Sequence, residues 1–539
     1  MEWSSYQQAI FEAVANTQES LIIEAVAGSG KTTTIVEAIK HVPPEQSVAF
    51  LAFNKSIAEE LKRRVTQPNA RCMTLHSVGL TAWKQHLAWE ANDLEIDGKK
   101  TYGIVDELEL PYGAWTTDMT KCVALAKGAG IVPSGYPGAR GLTPDDEDTW
   151  HDLMDIYNLD PDQVDLDLVR RVLAVGIEQA RKIVDFDDML YMPVIAGVAF
   201  DKTDVIFLDE AQDVNGIQAE IVSRMLRPAV KCACASHYDK EGSVTDCFCP
   251  IHGAPEYRQP QGSRVVVVGD GRQAIYGFRG ALSDSMAQLA KRFHCRSLPL
   301  TISYRCPKSV VTKAREWVKH IESHADAPDG LVGYGDWSLK DFAPGDAILC
   351  RNARPVVEAA FLLIRNKIPA KVAGRDIGQG LVKLVEKMKA RTIEDLAERL
   401  AKYRTREAGR LSTKKGAESK IALLDDKLDT LHVFMEEAGP HAGIGTLIAN
   451  INALFGDNGG MAGAVSCSTV HKAKGLEWDR VFVLDADLYM PSRWAKQDWE
   501  RKQEENLMYV AATRAKRELR YVTSEGLRAG LEQAKAEGG

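Results

Sequence analysis

The sequence predicts an α/β fold made of two parallel-sheet units, each carrying an inserted helical module. Short β-branched apolar runs each end in a polar or glycine-rich turn: SLIIEAVAG (20–28), SVAFLAFN (47–54), DVIFLDE (204–210), RVVVVGD (264–270), DAILCRN (346–352) and DRVFVLD (479–485). Continuous apolar runs of this length suit strands buried on both faces, as in a parallel sheet. Helix-patterned segments such as TTTIVEAIK and SIAEELKRRV lie between them, giving the alternation of an α/β protein. That alternation breaks over about 81–180 and again over about 386–459, where the pattern is helical.

At 539 residues the chain is too long for one core, and two to four domains are expected. Hydrophobic content of 45% with 26% charged residues fits a soluble globular protein. No run of about eighteen apolar residues is present, so no membrane span or membrane partner is expected. The start, MEWSSYQQAIFEAV, has neither the basic residues nor the apolar stretch of a signal peptide. Cys72, Cys122, Cys295, Cys306, Cys350 and Cys467 are scattered as buried small hydrophobes would be, which suits a reducing, cytoplasmic setting, with a nuclear one left open. A net charge of −8 argues against a polyanion-binding surface over the whole molecule but leaves room for a local basic groove.

AVAGSGKT (25–32) follows the first apolar run and precedes a helix pattern. A phosphate needs inward-pointing N–H groups, which small residues permit, and a helix N-terminus behind them. The cradle would run through Ala27, Gly28, Ser29, Gly30, Lys31, Thr32 and Thr33, with Lys31 on the β/γ-phosphates and Thr32 on Mg²⁺. Ala25 stands where the general pattern has its first glycine. DVIFLDEAQD (204–213) ends an apolar run in two acids, Asp209 for Mg²⁺ and Glu210 to position or deprotonate the attacking water.

Within the first helical break, TPDDEDTWHDLMDIY (143–157) reads as a helix start, with Thr143 as N-cap, Pro144 at the first helical position and acids in the first turn. A solvated helix start outweighs a metal-binding reading of those acids. In the second break KYRTREAGRLSTKKGAESK (402–420) holds seven Lys/Arg against two Glu, either a solvated face or a contact for duplex phosphates.

KCACASHYDKEGSVTDCFCPIH (231–252) falls between the acidic pair and the RVVVVGD run. Two C-x-C pairs can converge thiolates on one tetrahedral ion, so Cys232, Cys234, Cys247 and Cys249 form a candidate structural Zn²⁺ site, with His237 and His252 as substitutes. A free-thiol loop and a disulfide loop are the alternatives. The segment is long for a loop without structure of its own and could present a knob to DNA or a protein partner.

With these segments in order, the sequence resembles the UvrD/Rep/PcrA-type helicases of superfamily 1, in a compact phage-like or F-box-helicase-like form. The resemblance rests on YQQAI, FLAFNKS (50–56), TLHSVG (74–79), DFDDML (185–190), DEAQD, GDGRQAIYGFRGA (269–281), TISYRCP (301–307), STVHKAKGLEWD (468–479) and EENLMYVAATRA (504–515). It implies two RecA-like P-loop NTPase domains. The first would comprise 1–80 and 181–290 with the cysteine-rich insertion 228–262, and the second 291–385 and 460–539. Helical insertions would occupy 81–180 and 386–459.

The resemblance also implies roles. Gln7 would read the adenine edge, Tyr304 would be its platform, and Gln273 would sense the γ-phosphate. Gln212 and Arg279 would couple sites, and Arg305 and Arg514 would act as arginine fingers from the second domain, joined by Glu477 at the nucleotide. Asn54, Thr74, His76, Tyr276, Phe278, Thr469 and His471 would meet DNA, with Gly475 and Tyr509 completing the last two motifs. Fingers neutralise transition-state charge and tie hydrolysis to closure, and aromatic rings stack on any base.

Five positions depart from the family pattern: Ser303 for Asn, Phe278 for Trp, Gly271-Arg272 for an acidic pair, and Ala52 for an aromatic, with Phe53 next to it. The implied activity is ATP- and Mg²⁺-dependent DNA unwinding or translocation, 3′→5′, on single strands and tailed or forked duplexes. A translocase that strips proteins or recombinase filaments, and a nucleotide-gated structural subunit, are the rivals. A fused nuclease is not expected, since no acidic cluster follows the last motif.

Overall fold

The computed structural model describes residues 2–110, 114–133, 135–138, 142–157, 159, 164–227, 263–275, 284–335, 342–412, 417–456 and 463–526. The first sheet is built from β1 (Leu21–Ala25), β2 (Val48–Ala52), β3 (Ala70–Thr74), β4 (Val205–Leu208), β5 (Arg264–Gly269) and β6 (Arg296–Leu300). Their spatial order is β6-β1-β5-β4-β2-β3, and every pairing is parallel. The apolar runs alternate between two buried faces. Ile22, Leu51, Ile206, Val265 and Val267 enter one core, while Ile23, Phe50, Phe207, Val266 and Val268 enter the other.

α1 (Ser5–Asn16) and α2 (Lys31–Ile39) cover the second of these faces with Ile10, Val14, Ile35 and Ile39, and α3 (Lys55–Arg64) adds Leu61. The first face is covered by α4 (Leu75–Leu87) and α5 (Phe186–Ile195), and its core continues into the first helical insertion through Trp83, Trp150 and Ile177. α4 and α5 pack so closely that a Cβ on Gly79 would overlap the Met189 carbonyl, a crossing that only glycine permits. Sheet and insertion are therefore one cooperative core on this side.

The second sheet contains β7 (Leu331–Tyr334), β8 (Ala347–Cys350), β9 (Ala370–Ala373), β10 (Phe455–Gly456), β11 (Val465–Thr469), β12 (Trp478–Leu484) and β13 (Ala515–Val522). It too is parallel, in the order β7-β13-β12-β8-β11-β9-β10. One face packs against the second helical insertion through Leu396, Leu400, Leu431, Phe434 and Ile451. The other face meets the first unit. Val26, Ala27 and Ile275 lie in one cluster with Val310, Leu349, Val470 and Tyr509. The α/β expectation holds. The apolar runs singled out all form strands, whereas β3 (ARCMT) and β6 (RSLPL) carry mixed patterns because they are the edges of the first sheet.

Two local expectations change. Thr143 and Pro144 do not begin a helix: they pair with Ile131 and Val132, and the Thr143 hydroxyl donates to the Ala129 carbonyl. The helix runs Glu147–Ile156, and Asp146 accepts from the Thr149 N–H at 2.8 Å in the capping position. Asp145 turns inward instead to accept from Trp150 (2.6 Å) and Arg170 (2.9 Å). Helices also cross both expected insertion starts, since Leu75–Leu87 passes residue 81 and Arg375–Met388 passes 386. In the basic stretch Arg404 pairs with Asp425, while Arg406 and Arg410 share Glu407.

The ends of the cysteine-rich segment close on each other. The Arg227 N–H donates to Ser263 Oγ at 2.8 Å, and Arg227 pairs with Asp204 at 3.1 Å. This neck lies where β4 and β5 begin. Cys232, Cys234, Cys247, Cys249, His237 and His252 lie outside the described residues. Among the described residues no cluster of His, Cys, Asp and Glu could hold a metal, and no helix is long and apolar enough to cross a membrane.

Candidate nucleotide site and DNA-facing edge

β1 ends at Ala25 and α2 begins at Lys31, so the loop between them sits at the C-terminal edge of the first sheet, the usual ligand side of a parallel sheet. Gly28 (φ 71°) and Gly30 (φ 74°) adopt left-handed backbone, and Gly30 caps α2 without a side chain, leaving its first N–H groups turned toward the loop. The Ser29 hydroxyl is buried and has no partner. A glycine loop with an orphaned hydroxyl and a helix N-terminus behind it fits a phosphate chain.

Lys31 Nζ stands 3.9 Å from Glu210, and Glu210 also takes a hydrogen bond from the Gln212 amide. Asp209 follows β4 directly and is buried; its Oδ1 accepts the Glu210 N–H at 2.9 Å. Burial first, and then the adjacent Glu210, push the Asp209 carboxyl up to about 7. For Glu210 burial acts in the same direction, but Lys31, Lys474, the Gln212 hydrogen bond and Arg514 outweigh it and hold that carboxyl below the usual range. A buried acid of this kind, next to a second acid, fits a hard divalent cation such as Mg²⁺.

At the far end of the loop Gln7 is buried, with Nε2 donating to Thr34 at 2.9 Å and Oε1 accepting from the Tyr304 hydroxyl at 3.2 Å. Tyr304 is 42% exposed, packs against His324, and its N–H donates to the Gly28 carbonyl at 2.9 Å. Thr33 accepts from Arg64 at 3.1 Å.

The second unit closes over this loop. Arg305 donates to Glu477 at 2.6 Å and to the Thr513 carbonyl at 3.4 Å. A Cβ on Gly28 would overlap Arg305 Cβ and meet Ser303 Oγ at 2.9 Å, so the chain runs close to the loop at this point and Ser303 is fully buried there. Arg514 is buried, donates to the Val510 carbonyl, and reaches Gln273 Oε1 at 3.5 Å. Burial first, then Arg305, lowers its pKa to about 10. Gln273 Nε2 in turn donates to Asp270 at 2.7 Å.

Lys474 bridges to Asp213 (2.6 Å) and to the Gln273 carbonyl (2.7 Å). Asn506 and Tyr509 reach the same segment from α6 (Asp498–Ala512). Tyr509 was named from sequence; Lys474 and Asn506 were not singled out, although they lie within the quoted STVHKAKGLEWD and EENLMYVAATRA runs. Gly475, φ 84°, is exposed beside it.

Residues expected at DNA fall into two groups. β2 and β3 are neighbours, so Phe53, Asn54, Thr74 and His76 lie side by side at their C-terminal ends. Asn54 caps α3 by accepting the Ile57 N–H, and Thr74 caps α4 by accepting the Ser77 N–H. Ala52 is buried and Phe53 is 41% exposed. Burial holds the His76 imidazole below its usual pKa. Thr469 ends β11 opposite Cys350, with His471 in the short helix after it. Tyr276, Phe278 and Arg279 lie outside the described residues. Phe186 was not singled out; at 59% exposed it is the outward residue of DFDDML.

Two RecA-like parallel sheets with a phosphate loop facing their cleft define a P-loop nucleotide-binding fold. Its family follows from comparison with known proteins. The model of an AAA domain matches residues 7–279, and that of the UvrD-like helicase C-terminal domain matches 383–525. The chain belongs to the UvrD-like superfamily 1 helicases. It is 24% identical to F-box DNA helicase protein 1 of Schizosaccharomyces pombe over 566 residues, covering 96% of this chain and 57% of that protein. It is 25% identical to DNA helicase IV of Escherichia coli, covering 65% and 52% of the two chains. It is 23% identical to a probable DNA helicase II homolog of Mycoplasma pneumoniae, covering 58% and 42%. The chain thus spans about half the length of the curated relatives it matches.

Proposed function

We propose that this chain is a DNA-dependent ATPase that drives DNA unwinding or translocation, moving 3′→5′ along a single strand. The observation that carries the reading is the meeting of Lys31 and Glu210 from the first unit with Arg305, Arg514 and Lys474 from the second around one loop. In this reading the loop amides and Lys31 hold the phosphate chain, Gln7 and Tyr304 hold the base, and Glu210 orients the attacking water. Gln273 and Arg514 meet the γ-phosphate side. Arg305, released from Glu477, adds a second positive charge as phosphate charge develops. Mg²⁺, held by Asp209 and Thr32, would supply charge neutralisation across the phosphates.

Phe53 and Phe186, with the Tyr276 and Phe278 segment, would offer stacking faces to single-stranded DNA. Asn54, Thr74, His76, Thr469 and His471 would contact its backbone. Closure on ATP and opening after hydrolysis would alternate the grip. The same geometry serves a translocase that strips proteins from single strands with little unwinding. We also propose a structural zinc in the cysteine-rich insertion, on the strength of its two C-x-C pairs; absence of stoichiometric zinc in tag-free protein would end that idea.

Unwinding measured on 3′-tailed, 5′-tailed and forked duplexes tests the main reading. Strand separation only from a 3′ tail is expected. ATP turnover without strand separation would select the stripping translocase, and Glu210→Gln with undiminished DNA-stimulated turnover would refute the role given to Glu210.

A further inference from the structure

One hydroxyl joins the phosphate loop to the opposite unit. Tyr509 is fully buried in the core between the two units, where a phenylalanine would fill the same space. Its oxygen accepts the Ala27 N–H at 2.8 Å, and its O–H faces Asp270 Oδ2 at 3.4 Å. β1 ends at Ala25 and α2 begins at Lys31, so the Ala27 amide belongs to no ladder or helix. Neighbouring amides bond to main-chain carbonyls of the first sheet and the loop, Val26 to Leu300 at the end of β6 and Ser29 to Val26. The Ala27 amide instead relies on a side chain from the other unit.

Asp270 Oδ2 also accepts the Gln273 amide at 2.7 Å, and Gln273 Oε1 faces Arg514. One turn before Tyr509 on α6, Asn506 grips the Ala274 carbonyl at 2.9 Å, fixing the backbone of the same segment. A buried phenol is retained over a phenyl ring where its oxygen has partners. Here both partners lie across the cleft, so this bonding exists only when the units are together.

We propose that the Tyr509 hydroxyl is a positioning group for hydrolysis, which on closure completes the phosphate loop and, through Asp270, sets the Gln273 side chain toward Arg514. The proposal rests on the ATPase reading above.

Tyr509→Phe keeps the ring and removes the bonds. DNA-stimulated kcat should fall roughly ten-fold, the scale of one buried unsatisfied donor, with KM for ATP changed less than about two-fold. Affinity for ADP–aluminium fluoride relative to ADP should fall by the same factor as kcat. A variant that loses urea stability but keeps the wild-type affinity ratio has lost only structural hydrogen bonds, and that result overturns the proposal. So does wild-type turnover in Tyr509→Phe. Should that variant fail to fold, Asp270→Asn cuts the same line, and an unchanged ratio there overturns the proposal equally. A wild-type protein that hydrolyses no ATP would instead bring down the ATPase reading beneath it.

Discussion

Asp209 and Glu210 are adjacent in the chain yet sit in opposite fields. Glu210 shares its surroundings with Lys31, Lys474 and Arg514, whereas Asp209 faces burial and its acidic neighbour. A metal ligand must be ionised, so a carboxyl raised to about 7 makes protons compete with Mg²⁺ below neutrality. The Mg²⁺ concentration giving half-maximal ATPase should therefore rise several-fold between pH 8 and pH 6, approaching ten-fold per pH unit at most. Identical Mg²⁺ midpoints at the two pH values would contradict the raised carboxyl. Gly28 makes a second test at this scale. Its left-handed backbone and its approach to Arg305 leave no room for a methyl group, so Gly28→Ala should cut ATP turnover by at least about a hundred-fold, with steady-state kinetics as the check. Residues set by local chemistry, such as Lys31 and Asp209, were legible because strand, loop and helix signals surround them. Lys474, Asn506 and Asp270 were not, because their partners lie across the cleft and nothing local marks a long-range hydrogen bond.

At the scale of elements, the first insertion is held by buried charges that no local sequence pattern marks. Lys100 Nζ meets Asp188 at 2.6 Å, and Lys127 Nζ meets Asp185 and Asp188 at 2.7 Å each. All four groups are buried, and Lys100 also donates to the Gly176 carbonyl. Burial, only partly offset by Asp188, lowers the Lys100 pKa; for Lys127 the two carboxylates overcome burial and raise it. Asp185 and Asp188 form the capping box of α5 and flank the exposed Phe186. Removing one member strands a buried charge, so Asp188→Ala should cost about 3–5 kcal/mol. Arg404→Ala, which loses an exposed pair with Asp425, should cost under about 1 kcal/mol. Urea titrations of the two variants test the contrast; equal losses would mean that the buried cluster carries no special weight. Helix positions were readable from periodicity, but which lysines turn inward depends on packing between segments 58 and 88 residues apart.

For the whole molecule, the parallel α/β architecture was legible because central strands buried on both faces read as unbroken apolar runs. Edge strands carried no such mark, and the contact between units, with Val26, Ala27 and Ile275 inside the second unit's core, had no local pattern to show it. The neck at Arg227 and Ser263 opens where β4 and β5 begin, while Asp209 and Asp270 follow their ends. Strands of this length separate the two places by roughly 15–20 Å. Replacing residues 228–262 with a short Gly-Ser link should accordingly leave DNA-stimulated ATPase within about two-fold of wild type, since the two ends already meet. A large loss of turnover would show that the insertion reaches the engine. If turnover survives, the neck is a socket: payloads of unrelated sequence could be exchanged there between otherwise identical engines, and each would inherit a working motor without retuning its nucleotide cycle.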